Sequence, residues 1–119
     1  MAVKKITTQT IGQKGEEQAV DYLARAGYQI LDRNFRISIG ELDIVALDNN
    51  QLVLVEVKTR TNNKFGFPEE AINKRKLIKV KQVGQIWASQ HPGLPQSLRI
   101  DLIAILNNRI NHYQNIGEF

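Results

Sequence analysis

Apolar residues Ala19, Val20, Leu23 and Ala26 recur at helical spacing within residues 11–26, and Gly27 follows where a helix would stop. That segment predicts a first helix. Residues 28–37 read as a strand whose middle, Asp32-Arg33-Asn34, is polar. Residues 42–47 and 51–59 are rich in Val, Ile and Leu, and Asp48-Asn49-Asn50 between them tolerates a tight turn, which predicts a β-hairpin. Pro68-Glu69-Glu70 has the chemistry of a helix opening, with proline early and acids in the first turn, so a second helix is expected from there to about Ser89. His91-Pro92-Gly93-Leu94-Pro95 breaks the chain, and residues 98–106 and 109–115 read as another hairpin around Asn107-Asn108. The order αβββαββ predicts an α/β protein, a mixed sheet flanked by helices. At 119 residues, with no internal linker, the chain is expected to form one domain over 1–119, residues 1–9 being a polar, flexible arm.

The first hairpin concentrates the chemistry. A turn centred on Asn49-Asn50 sets Asp43 opposite Glu56 and Glu41 opposite Lys58, all on one sheet face. Opposed side chains stand about 4.5–5.5 Å apart at Cβ, where two like charges destabilise a sheet unless something compensates. A hard divalent cation, Mg²⁺ or Mn²⁺, would do so, and an ammonium such as Lys58 could orient an attacking water or hold phosphoryl oxygens. Val53, Val55 and Val57 line one face of the second strand and Leu52 and Leu54 the other, so it reads as buried on both sides. The plainer alternative is that the charges are solvated residues at a strand end, Lys58 neutralising Glu41 or Glu56.

Composition narrows the possibilities. There is no cysteine, so disulfides, thiol catalysis and cysteine-rich zinc sites are excluded. Charges interrupt every apolar stretch, and none follows the N-terminal lysines, so neither a membrane span nor a signal peptide is expected and the cytoplasm is the expected compartment. A formal net charge of +4 favours polyanionic partners without defining one.

Other positions carry weaker signals. Glu16 shares a helix face with Ala19, Val20 and Leu23 and points toward the sheet, though an acid near a helix start also suits the helix dipole. Gly12 and Gly15 weaken this helix unless backbone or ligand must approach closely. In the second helix, Lys74, Arg75, Lys76, Lys79 and Lys81 form a basic surface from which Lys74, Arg75 and Lys79 are candidate phosphate contacts; the plain reading is a solvated face. Arg60 leaves the strand just past Lys58 and is a further candidate. Trp87 is expected in the core, Asp101 reads as structural, and His91 and His112 have no carboxylate at metal-ligand spacing.

Gly12-x-x-Gly15-Glu16-x-x-Ala19, Gly27-Tyr28, Arg33-Asn34, Gly40-Glu41-Leu42-Asp43, Val55-Glu56-Val57-Lys58-Thr59-Arg60 and Phe65-Gly66 together resemble the YraN-like bacterial proteins over nearly the whole chain. The resemblance implies a restriction-endonuclease-like fold and a PD-(D/E)XK nuclease site similar to that of archaeal Holliday-junction resolvases. Carried over, it assigns Glu16, Asp43 and Glu56 to the metal and Lys58 to the water or phosphate. Leu42 departs from the pattern, standing where the nominal proline precedes the aspartate, and Glu41 is an extra acid, an accessory candidate. The implied activity is hydrolysis of phosphodiester bonds in DNA, with branched or RNA substrates left open and a homodimer expected by analogy with resolvases. The rival expectation is a nucleic-acid-binding module or partner protein that does not cut.

Overall fold

The computed structural model describes residues 10–62, 66 and 72–117. Helix α1 (Ile11–Arg25) is followed by strands β1 (Gln29–Ile37), β2 (Gly40–Asp48) and β3 (Gln51–Arg60), helix α2 (Lys74–Ser89), and strands β4 (Leu98–Leu106) and β5 (Arg109–Tyr113). The expected order αβββαββ is present, and the strands form one sheet in the order β1-β2-β3-β4-β5. Among the described strands only β3 and β4 run parallel. That pairing is the one bridged by a helix, since a parallel return requires a long crossover.

Local chemistry fixes the boundaries. Thr10 caps α1 with its side chain on the Gln13 amide, Gln13 returns the bond, and Gly27 ends the helix at φ 95°. Two of the three hairpins turn on asparagine pairs, Asn49-Asn50 at φ 49° and 62° and Asn107-Asn108 at 53° and 66°, the left-handed geometry of a two-residue hairpin turn. Helix α2 begins later than its sequence predicts. Asn73 is extended and its side chain accepts from the Lys76 amide, so the helix opens at Lys74. Pro68-Glu69-Glu70 and the arm at 1–9 lie outside the described residues.

Two cores cover the sheet. On one face Ala19 and Leu23 of α1 pack with Ile44, Ala46, Val53, Val55, Ile103 and Ile105. On the other, Val80, Val83 and Trp87 of α2 pack with Leu42, Val45, Leu52, Leu54 and Ile100. Strand β3 is therefore buried from both sides, as its apolar run implies. Each helix meets β3 through a glycine. A Cβ at Gly15 would stand 2.0 Å from Thr59 Oγ1, and one at Gly84 2.2 Å from Leu54 Cδ1. Gly12 has no such neighbour, so of the two glycines in α1 it is Gly15 whose place a side chain cannot take. Gly15→Ala is expected to cost ~1–3 kcal/mol despite alanine's better helix propensity, because β-branched Thr59 cannot swing aside. Urea denaturation of Gly15→Ala and of Gly15→Ala/Thr59→Ala checks this, the second change restoring much of the loss.

Candidate active site

The ladder between β2 and β3 runs from Asp48↔Gln51 to Ile44↔Val55 and goes no further. Asp43 and Glu56 are consequently not a directly opposed pair, and neither are Glu41 and Lys58, contrary to the simple extension of the hairpin. The reason lies in β1 and β2. Leu42 and Val45 both belong to the α2-side core while Ile44 belongs to the α1 side, so β2 changes face at Asp43. Across from that point in the β1–β2 register, between Arg33↔Ile44 and Phe35↔Leu42, Asn34 adopts φ 55°. A bulge between Ile30 and Asp32 adds to the irregularity. Thus the polar Asp32-Arg33-Asn34 segment is where the edge strand bends, with Asp32 Oδ2 accepting from Trp87 Nε1 at 2.8 Å.

Where the strands part, a side chain takes over from the ladder. The Val57 amide donates to Asp43 Oδ2 at 2.8 Å. Glu56, on the face of Leu52 and Leu54, is 2% exposed, and burial followed by the Asp43 charge pushes its carboxyl up to about 8, against the pull of Lys76 and Lys58. An acid so placed holds its proton near neutrality unless a cation replaces it.

Glu16 lies on the opposite side of Asp43. Its side chain is 14% exposed, 3.5 Å from Arg33 Nε, and its Oε1 has no hydrogen-bond partner. Burial raises its pKa, Arg33 opposes, and the Asp43 charge raises it further. Asp43 is therefore the acid whose field reaches both others. Glu41 is tied to Arg36, its partner across β1, by Nε at 3.1 Å and Nη2 at 2.8 Å, so Arg36 takes the place imagined for Lys58.

The cations divide into two groups. Lys76 and Lys79 line a groove with Arg36, whereas Lys74 and Arg75 are exposed and do not line it. Arg60 lines a pocket on the α1 side with Lys14, Gln18 and Asn108. Lys76 is the functional candidate that helix periodicity alone passed over. One turn beyond Asn73, it falls beside Glu56, a neighbour visible only once the start of α2 is fixed.

Metal fit rests on this donor set. Two carboxylates sharing one locus suit a hard divalent cation, and Glu16 Oε1, ion-paired with Arg33 but without a hydrogen bond, is a third oxygen within the field of Asp43. Among the described residues no group of three His, Cys, Asp or Glu side chains is gathered closely enough to hold an ion, so Glu16 stands apart from the pair.

Trp87 is core, stacked on His91 with ring centroids 3.7 Å apart. His112 does have a carboxylate close by. Its Nε2–H donates to Asp101 Oδ2 at 2.7 Å, joining a buried network around Asp101, which pairs with Val55 across the β3–β4 ladder.

A mixed five-stranded sheet built αβββαββ, with a helix on each face and an acidic locus where β2 leaves β3, defines a three-layer α/β protein. The family described as "Uncharacterised protein family UPF0102" matches residues 15–105, and the chain belongs to it. Among its relatives are UPF0102 proteins of Persephonella marina, 41% identical over 87% of this chain and 90% of that one, and of Caldanaerobacter subterraneus, 38% identical over 95% and 98%. A solved structure described as an EndoMS-dsDNA2 complex has a TM-score of 0.44 at 12% identity, covering 83% of this chain and 38% of the other. None of the described helices is long and apolar enough to cross a membrane.

Proposed function

We propose that this chain is a metal-dependent nuclease that hydrolyses phosphodiester bonds of DNA, with Asp43 and Glu56 holding Mg²⁺ or Mn²⁺. One observation carries the reading: a buried glutamate pushed up to about 8 beside an aspartate at the point where two strands separate. A fold gains nothing from such a pair, and sites that bind charge concentrate groups perturbed in this way. When bound, the cation supplies an acidified water and neutralises charge building on the phosphate. The residues of the chain do the rest. Glu56 gives up its proton as it becomes a ligand, and Asp43 stays aimed at the locus through the Val57 amide. Lys58, two residues beyond Glu56 on the same face of β3, holds a phosphoryl oxygen or the attacking water.

Calorimetric titration of Mn²⁺ into wild-type protein and into Asp43→Asn tests the site without a chosen substrate. Saturable binding in the wild type and its loss in the variant are expected. If neither protein takes up Mn²⁺, even beside a short oligonucleotide, the nuclease reading falls.

The separation of Glu16 from the pair, tied as it is to Arg33, favours a second reading, a nucleic-acid-binding module that does not cut. Lys58→Ala separates the two. Under the nuclease reading it abolishes cleavage and leaves metal binding; under the other there is no cleavage to abolish.

A further inference from the structure

The turn from β1 to β2 and the first turns of α2 flank an open groove of ≈ 370 Å³ whose lining includes Arg36, Glu41, Lys76 and Lys79 beside the apolar Ile37 and Ile39. We infer that this groove is the seat of a phosphodiester strand, held from one wall by Arg36 and from the other by Lys76 and Lys79, and leading to Glu56. The inference rests on the nucleic-acid reading given above and extends it to a path and a set of contacts.

Three observations support it. First, the groove sets three cations against one carboxylate, and that carboxylate is already engaged by Arg36. Its uncompensated charge is thus cationic, and the hydroxyl of Ser38 adds a neutral donor of the kind phosphate oxygens accept. Second, the cations stand on two walls from different elements, so a chain of phosphates lying between them is contacted from both sides, which a single solvated helix face cannot do. Third, β2 joins the groove to the acids: Gly40 and Glu41 line it, and Asp43, beside Glu56, stands two residues beyond Glu41 on the same strand. A phosphate held in the groove therefore lies close to the acidic locus. Lys74 and Arg75, though adjacent in sequence, lie off this path.

The test is fluorescence anisotropy with a labelled single-stranded oligonucleotide and with the duplex of the same sequence, in EDTA, across a range of salt. Lys76→Ala/Lys79→Ala is expected to weaken binding on the order of tenfold at low salt. It should also lower the slope of log K against log[salt] by about 1.4 for the single strand or about 1.8 for the duplex, the value for two lost phosphate contacts. Whichever form shows the loss identifies the source of the strand. Lys79→Glu, an exposed position that cannot disturb packing, must weaken binding as well, while Arg25→Glu at the far end of α1 changes the affinity much less. Equal affinity and slope in wild type and double variant would overturn the groove while leaving the Mn²⁺ result, and with it the nuclease reading, untouched. Competition by polyglutamate as strong as by oligonucleotide would assign the groove to acidic peptides and overturn the phosphodiester assignment. Loss of binding in the groove variants of a protein that takes up no Mn²⁺ would uphold the groove and remove the nuclease.

Discussion

Glu56→Gln is expected to make the metal-free protein more stable at pH 9 while leaving its stability near pH 4 almost unchanged. Below 4.5, the ordinary value for this carboxyl, both folded and unfolded chains carry the proton and the two proteins differ little. Between 4.5 and about 8 the folded chain keeps the proton that the unfolded chain releases, so wild-type stability falls as pH rises; above about 8 the whole penalty is present. At ~1.4 kcal/mol per pH unit across that window, the penalty is on the order of 3–5 kcal/mol. Glutamine keeps the volume and removes the titration. Urea denaturation in EDTA at several pH values should give a falling line for wild type and a flat one for the variant. Parallel lines would mean that Glu56 is solvated in the folded protein, and the argument for a charge-binding site there would lose its basis.

The second large effect is expected at Asp101, in the α1-side core. This carboxylate is 0% exposed and accepts from Arg99 Nε (2.9 Å) and Nη2 (3.1 Å), Tyr28 Oη (3.3 Å), His112 Nε2 (2.7 Å) and the Asn115 amide (3.0 Å). Burial alone would raise its pKa, but the bonds from Arg99, Asn115 and His112 outweigh it and hold the carboxyl below its ordinary value. Arg99 also reaches Asp48 at 3.1 Å and the Tyr28 hydroxyl at 2.7 Å, so the cluster ties the ends of β2 and β4 to the segment after α1. Asp101→Asn leaves the mostly buried Arg99 facing one formal charge fewer. Breaking a buried pair from one side costs about 3–5 kcal/mol, and that loss is expected at pH 7. The contribution of the carboxylate is present above pH 3.8 and fades as pH falls through the lowered folded value, so the variant should lose part of the acid sensitivity of the wild type. A loss under about 1 kcal/mol at pH 7 would contradict the role given to the cluster.

The contrast between the two acids explains what could be read from the sequence. The elements were legible because their signals are local: apolar period, asparagine pairs, glycine after the first helix. Asp43, Glu56 and Lys58 stood out because charge interrupts a strand buried on both faces. Their mutual geometry was not legible. It depends on β2 changing face at Asp43 and on Asn34 taking a left-handed conformation, and neither leaves a mark in hydrophobic alternation. The late start of α2 was hidden by a better-looking helix opening at Pro68, whereas the actual cap is Asn73, a single side chain. Lys76 followed it out of view. Likewise the Asp101 cluster joins residues from the segment after α1, β2, β4, β5 and the chain beyond, so His112 finds its carboxylate in space, eleven positions away in sequence.

The irregularity of β1 also bears on the chemistry of the sheet's edge. An outermost strand offers unpaired amides and carbonyls to any other chain, and proteins resist this with bulges, charges and short strands. Here β1 carries a bulge at Ile30/Asp32, a left-handed Asn34, and Arg33 and Arg36 along its length, and the opposite border, β5, is five residues long. The bend that sets Asp43 apart from the ladder therefore also blunts the border of the sheet. Straightening β1 to gain regular pairing would expose a flat template for aggregation, and would undo the parting of the strands on which the acidic locus depends.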